Sequence, residues 1–321
     1  MPLQPKMPTD NGPLIHILLA TYEGAAYLRE QLDSIAAQTH TNWSLWISDD
    51  GSKDATWSIC EAFAEQHPLN RVHLIKGPAK GPTANFFHLM CSVQLSQPGD
   101  LLAFSDQDDV WLPEKLARAV AALGAQAPGS GRPFLYGATT HLVNEQLQPT
   151  GTSATPARPL GFGNALLQNV ISGNTMVFNS ALLERLRYVQ PEHAVWHDWS
   201  AYQTASGCGG HIHFDPSPCL LYRQHEGNLV GSQGRIWDKF LRLTMLFRGQ
   251  YRQWGNKTEA AMGDLDPFLA DDARKTLQLF SRMRHHRSPL ERLRLASTGH
   301  LWRQTASGRA SLWLGLLLKQ I

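Results

Sequence analysis

Four short apolar runs in the first third of the chain, each ending in a polar loop and followed by a segment of helical period, constrain the fold more than any other feature. The runs are Leu14 to Ala20, Trp43 to Ser48, Arg71 to Ile75 and Leu101 to Ser105. After the first, Thr21, Tyr22, Glu23 and Gly24 form a loop, and Leu28, Leu32 and Ile35 recur at the spacing of one helix face. The second run leads into Asp49, Asp50, Gly51 and Ser52, and Asp54 is placed to cap a helix ending near Gln66. A loop from Gly77 to Pro82 precedes a helix carrying Phe86, Phe87, Met90 and Val93, and Pro113 stands where a first helical turn accepts it. Repeated strand-loop-helix units imply an α/β fold: a mostly parallel sheet with helices on both faces and ligands beyond the strand ends.

Further along, Phe134 to Val143 reads as one strand, Thr150 to Pro159 as a loop and Val170 to Phe178 as another strand. A helix is expected after Asn179-Ser180 and another around Val195, followed by β segments at His211 to Phe214 and Cys219 to Tyr222. Beyond Gly234 the pattern turns helical and basic, which places a boundary near residue 230: a catalytic domain over 1–230 and a basic helical region over 231–321.

The formal charge of +2 conceals an asymmetry along that boundary. Residues 1–229 hold 13 Lys/Arg against 20 Asp/Glu, a balance of −7, whereas residues 230–321 hold 16 against 7, a balance of +9. In the basic part, Arg alternates with Trp237, Phe240, Leu241, Leu243, Leu246 and Phe247, and later with Leu301, Trp302, Leu312, Trp313, Leu316 and Leu317. This composition suits a helix at an anionic membrane surface, although a solvated helical face explains the charge alone equally well. The longest apolar run, Leu312 to Leu318, is seven residues, against the roughly 20 that a spanning helix needs. Met1 to Gly12 lacks the apolar stretch of a cleaved signal, so a cytoplasmic location is expected, with the basic end reaching the inner membrane face.

Chemistry is concentrated at the predicted strand ends. Ser105-Asp106-Gln107-Asp108-Asp109 sets three carboxylates within four residues. They repel one another unless a cation or hydrogen-bond donors offset the charge, and hard divalent ions prefer oxygen ligands, so a metal-diphosphate site is the natural reading. Asp49-Asp50-Gly51-Ser52 belongs on the same edge, where an Asp can accept from the imide nitrogen of a pyrimidine, or serve simply as a turn residue. Tyr22 could stack on a base or pack. Asp198, between Trp196-His197 and Trp199, would be desolvated and more basic, as suits a general base; an ion-paired Asp at a helix start fits the bare pattern as well. In Tyr222 to Asn228, His225 is a candidate metal ligand and Arg223 a candidate phosphate contact, though either alone is compatible with a surface residue.

Absent motifs narrow the classes. No G-x-G-x-x-G follows the first strand, and there is no P-loop, G-x-S-x-G or H-E-x-x-H. Cys60, Cys91, Cys208 and Cys219 have no paired metal-ligand spacing. No nucleic-acid-binding motif accompanies the basic tail.

Taken in order, these strings resemble an inverting family 2 glycosyltransferase of the GT-A fold. The matching segments are Ile17 to Gly24, Leu28 to Thr39, Ser48 to Asp54, Phe104 to Lys115, His197-Asp198-Trp199 and Tyr222 to Asn228, within about residues 13 to 230. F-S-D-Q-D-D-V-W-L-P-E-K together with H-D-W is similar to the rhamnosyltransferase branch of bacterial surface-polysaccharide assembly. The resemblance implies that Thr21, Tyr22 and Glu23 line the nucleotide pocket, that Asp50 contacts the base, and that Asp106 lies near the ribose. It implies Asp108 as direct ligand of Mg²⁺ or Mn²⁺, His225 as the residue completing the metal site, and Asp198 as catalytic base. Two departures stand out: Glu23 occupies a position where Asn is frequent, and His197 replaces a carboxylate before the base. The implied donor is a nucleotide sugar, dTDP-L-rhamnose foremost, and the acceptor a saccharide or lipid-linked saccharide. The alternatives are a UDP-sugar donor and a catalytically silent nucleotide-sugar binding protein.

Overall fold

Strand β1 (Ile15–Thr21) is buried on both faces, and its alternation decides the layering. Ile15, Ile17 and Leu19 face one apolar layer with Leu28, Leu32 and Ile35 of helix α1 (Leu28–Ala36), while Leu18 faces another with Phe86 and Phe87. The computed structural model describes residues 12–68, 71–97, 99–124, 131–225 and 248–321. Within them, strands β2 (Trp43–Asp49) and β4 (Leu101–Ser105) flank β1 in parallel, and β3 (Val72–Lys76) pairs in parallel with β2. Helices α2 (Thr56–Glu65) and α3 (Pro82–Ser92) make two of the crossovers.

A short strand β5 (Val110–Trp111) and helix α4 (Lys115–Gly124) follow the acidic loop. The Phe134 to Val143 run does not form one strand. It divides into β6 (Phe134–Ala138) and β7 (His141–Val143), which belong to different sheets. The break at Thr139-Thr140 is held from outside the run: Thr139 N donates to Asp215 O (3.1 Å) and Thr140 N to Ser153 Oγ (2.8 Å). The expected loop at Thr150 begins instead inside strand β8 (Pro149–Thr152), paired with β7. A short helix α5 (Phe162–Ala165) comes next.

The expected strand Val170 to Phe178 is mostly a different structure: Gly173–Thr175 is a 3₁₀ turn, and only β9 (Val177–Asn179) is extended. Asn179 caps α6 (Ser180–Leu186) by accepting from Leu182 N, α7 spans His197–Gly207, and β10 (His211–Asp215) and β11 (Leu220–Arg223) follow.

The main sheet has the order β10-β6-β9-β4-β1-β2-β3, with β9 antiparallel to both neighbours, and a smaller sheet has the order β5-β11-β7-β8. Register sets Thr21 beside Asp49 and Leu19 beside Ser105, so the loops after β1, β2 and β4 leave one edge together. That edge is where a doubly covered parallel sheet binds ligands.

The boundary expected near residue 230 lies outside the described residues. Beyond it, helices α8 (Gln250–Asp264), α9 (Asp271–His285), α10 (Pro289–Ala296) and α11 (Ala306–Leu317) pack against the α7 face of the sheet. Met262, Phe280, Met283, Leu312 and Leu316 share one apolar cluster with Leu182, Tyr202 and Ala205, so these helices extend the catalytic core. Gln203 Nε2 donates to Thr258 Oγ1 (3.2 Å), and Asn164 Nδ2 to Trp302 O (3.0 Å). Leu301, Leu312 and Leu316, grouped above with surface-seeking residues, are therefore core, and Trp302 donates its indole N–H to Pro159 O. Trp237 to Phe247 lie outside the described residues. No helix among the described residues is long and apolar enough to cross a membrane.

Candidate active site

The first loop is tied to the acidic loop by one side chain. Gln107 accepts from Tyr22 N (2.9 Å) and donates to Tyr22 O (2.9 Å), a two-bond bracket between segments 85 residues apart. Gly24 permits it, because a Cβ there would lie 2.2 Å from Gln107 Oε1. Glu23 has φ 48°, in the left-handed region that Asn enters more readily than Glu. Its N–H donates to Ser52 Oγ, and its carboxylate accepts from Lys53 N (both 2.9 Å), so Glu23 joins the loops after β1 and β2. Thr21 Oγ1 donates to Asp49 Oδ1 (3.2 Å). Asp50 is nearly buried, and its two oxygens accept from Ala79 N and Gly81 N (both 2.7 Å), anchoring the loop after β3. Tyr22 is open, 56% exposed at the rim.

The acidic loop divides into three environments. The Asp106 carboxylate has no hydrogen-bond partner among the described residues, and burial, reinforced by the charges of Asp108 and Asp198, pushes it up to about 7. Asp109 is fully buried and accepts from Asn174 Nδ2 (2.6 Å); burial and its two acidic neighbours raise it well above the usual carboxylate range. Asp108 turns the other way, and its Oδ2 lies 2.8 Å from His225 Nε2. Below the loop, Lys115 is fully buried with its ammonium 3.1 Å from the Trp111 ring centroid and no hydrogen-bond partner among the described residues. Burial pulls it down to about 7 against the fields of Cys219, Asp109 and Asp106.

Arg223 does not face the open site. It is 1% exposed; its guanidinium donates to Asp108 O (2.9 Å), to Glu145 O and to the Glu30 carboxylate. It also stacks 4.5 Å over Tyr27, whose ring centroid lies 5.0 Å from that of His225. The side chain therefore locks the backbone of Asp108 and the ring beside His225, and in this arrangement its donors are not directed at a phosphate.

Asp198 sits in the first turn of α7. It accepts from Trp199 N (2.7 Å) and Gly173 N (3.2 Å), and the nearby Asn169 side chain also favours its charged form, yet burial outweighs these effects and raises it to about 6. Gly173 is required by close approach: a Cβ there would lie 2.8 Å from His197 Nε2 and 3.0 Å from Asp198 Cβ. His197 stacks on Phe86 at 3.7 Å, its Nε2 has no hydrogen-bond partner among the described residues, and burial lowers it to about 3. It is a neutral packing residue. Trp199 points away from Asp198's carboxylate, donating to Ala165 O (2.6 Å) and meeting Trp254 edge to face.

Tyr222 marks the centre of the group, since burial and then the charges of Asp106, Asp109, Asp108 and Asp198 hold its phenol above the usual range. Asp108 and His225 thus meet directly, Asp106 feels the charges of Asp108 and Asp198, and Thr21, Tyr22, Glu23 and Asp50 lie along the adjoining strand ends. Sequence reasoning missed Gln107, Asn174, Asn169 and Glu30. Only Gln107 had a local signal, its place between two acidic residues opposite a loop glycine.

Among the described residues no three His, Cys, Asp or Glu side chains form a metal-holding group. The Asp108–His225 pair is a two-residue arrangement whose spacing suits a shared ion, because adjacent donors on an octahedral ion with bonds of about 2.1 Å stand on the order of 3 Å apart.

Residues 16–130 match the family model for glycosyl transferase family 2. The chain is 30% identical over 257 residues to the dTDP-rhamnosyl transferase RfbG of Shigella flexneri, covering 78% of this chain and 86% of that protein. Among solved structures it resembles S. aureus TarS 1-349 in complex with UDP-GlcNAc (TM-score 0.54, 15% identity, 95% of this chain and 88% of that one). It also resembles the mannosyltransferase PcManGT from Pyrobaculum calidifontis in complex with GDP-Man and Mn²⁺ (TM-score 0.53, 18% identity, 98% and 88%). A relative matched across most of both chains, on a sheet shared with structures of that class, leaves one assignment: the chain is a GT-A glycosyltransferase and belongs to glycosyl transferase family 2.

Proposed function

We propose that this protein transfers L-rhamnose from dTDP-L-rhamnose, with inversion and with the help of Mg²⁺ or Mn²⁺, to a lipid-linked saccharide in cell-surface polysaccharide synthesis. Support for the donor comes from the dTDP-rhamnosyl transferase of Shigella flexneri, matched over 86% of its length. The observation that carries the chemistry is the position of Asp198 in the first turn of α7: a carboxylate with raised basicity, within electrostatic reach of Asp106.

The nucleotide is assigned to the rim of Thr21, Tyr22, Glu23 and Asp50, with the exposed Tyr22 ring available for stacking. Asp106 faces the ribose side, and Asp108 with His225 would hold the divalent ion. When bound, that ion neutralises charge on the departing diphosphate. Arg223 and Gln107 fix the loop so that Asp108 need not be reorganised as the reaction proceeds. Asp198 takes the proton from the acceptor hydroxyl as its oxygen attacks the anomeric carbon opposite the leaving group, and one displacement inverts the configuration. Two backbone hydrogen bonds hold this carboxylate in place, while desolvation keeps its conjugate acid near neutrality.

A radiolabelled-donor assay with dTDP-L-rhamnose, UDP-glucose and GDP-mannose, with and without Mn²⁺, tests the reading. Transfer confined to dTDP-L-rhamnose and dependent on the ion is expected. Donor binding without any transfer would identify a silent binding protein, and transfer only from a UDP-sugar would overturn the donor assignment.

A further inference from the structure

Helix α11 exposes an apolar stripe that nothing in the transfer reaction uses. Ala310, Trp313, Leu314, Leu317 and Leu318 follow the i, i+3, i+4, i+7, i+8 spacing of one helix face. The four large side chains are 49%, 40%, 47% and 44% exposed, whereas Leu312 and Leu316 on the opposite face are 3% and 1% exposed and lie in the core. Seven large apolar residues are exposed among the described residues, and four of them fall within these two turns. That concentration distinguishes the stripe from the scattered apolar residues of an ordinary surface.

The charges around it have one sign. From Arg292 to Ile321 there are five Lys/Arg and no Asp or Glu. Arg309 precedes the stripe and Lys319 follows it, both exposed, and the exposed Arg252 donates to Lys319 O. Arg292, buried, donates to Leu316 O (2.6 Å) and Leu317 O (3.2 Å), which fixes the end of the helix to α10. The twelve residues of α11 span about 18 Å, far short of a bilayer core of about 30 Å. An apolar face with Trp at its centre and cations at both ends fits the boundary between headgroups and acyl chains, with the helix lying in the plane.

We propose that α11 docks this protein on an anionic lipid bilayer through Trp313, Leu314, Leu317 and Leu318, with Arg252, Arg309 and Lys319 against the headgroups. The inference takes from the reading above only that the acceptor is lipid-linked. Leu312 and Leu316 pack in the same cluster as Tyr202 and Ala205 of α7, so the docked helix is fixed to the helix that carries Asp198. A bilayer-bound acceptor would then meet the base at a constant height.

Vesicle flotation of the full chain, without any nucleotide sugar, tests docking separately from chemistry. Wild-type protein is expected to float with 70:30 phosphatidylcholine/phosphatidylglycerol vesicles, much less with phosphatidylcholine alone, and less at raised salt. Leu314→Ser/Leu317→Ser should lower the bound fraction at least about tenfold, and Arg309→Glu/Lys319→Glu should abolish the preference for anionic vesicles. Both variants should keep wild-type transfer to a water-soluble acceptor, because none of these side chains belongs to the candidate active site. Failure of wild-type protein to float, or variants that float as wild type does, would overturn the proposal. A lipid-free dimer that Leu314→Ser/Leu317→Ser converts to monomer would also overturn it, by assigning the stripe to a second copy of the chain.

Discussion

His225 Nε2 lies 2.8 Å from Asp108 Oδ2, although the two residues are 117 apart in the chain. Strand β11 brings them together: it pairs antiparallel with β5, just after the acidic loop, and its last residue, Arg223, grips the Asp108 carbonyl. Asp108→Ala and His225→Ala should each weaken Mn²⁺-dependent binding of a nucleoside diphosphate by more than about tenfold. Their melting temperatures in metal-free buffer should stay close to wild type, since loop side chains contribute little packing. Calorimetry with and without Mn²⁺ checks this, and unchanged metal-dependent affinity in either variant removes that residue from the site.

Asp198→Asn should leave donor affinity near wild type and lower turnover by roughly 10²- to 10⁴-fold, the usual contribution of a general base. Donor binding, transfer rate and melting temperature measured on one preparation separate a base from a structural carboxylate, for which all three would fall together.

The pH dependence has a definite sign. With Asp198 raised to about 6, the ionised base predominates above that pH, and kcat/KM should fall about tenfold per pH unit below it. Stability runs the other way. The native carboxyl binds protons that the unfolded chain, at its ordinary 3.8, has already released, so stability falls as pH rises from about 4 to about 6. Asp106, raised to about 7, acts in the same direction. Thermal unfolding of wild type and Asp198→Asn across this range should show a shallower decline in the variant.

Gly24 and Gln107 should be energetically coupled. Gly24→Ala forces a Cβ to 2.2 Å from Gln107 Oε1 and should cost about 1–3 kcal/mol as overpacking. In a Gln107→Ala background the obstruction is gone, and the same substitution should cost less than about 1 kcal/mol. A double-mutant cycle by denaturant unfolding gives the coupling directly; additive costs would show that the bracket does not constrain Gly24.

Arg223→Ala should destabilise the fold by about 3 kcal/mol, because it opens a cavity and strips buried donors from Asp108 O and Glu145 O. Arg223→Lys keeps the charge but not the planar fork, so it should recover part of the stability and little of the metal-dependent donor affinity. Full donor affinity in Arg223→Lys would show that the guanidinium does not position Asp108.

The sheet and its helices were readable because each element carries its own period. Alternation in Ile15 to Leu19 and the three-to-four spacing of Leu28, Leu32 and Ile35 are local properties, and the strand-loop-helix order then leaves few topologies. Asp106, Asp108 and Asp109 were readable for a similar reason, since crowded carboxylates need an explanation wherever the chain goes. Phe134 to Val143 was misread because a continuous apolar run is compatible with one long strand. Its break at Thr139-Thr140 depends on acceptors and donors at Asp215 and Ser153, which no window around the run contains. Arg223 is the sharper case: a lone Arg after a short strand carries no sign of burial, and its guanidinium is claimed by Glu30 and Glu145 from two distant elements. His197 likewise became a neutral packing group only because Phe86 and Phe104 lie against it. Sequence alone therefore determined which segments are strands and helices and which loops carry acid, because backbone preference and side-chain period are local. Which acid meets His225, which carboxylates are desolvated and which cation is buried were decided by tertiary structure, because desolvation and charge depend on neighbours that strand pairing alone brings within reach.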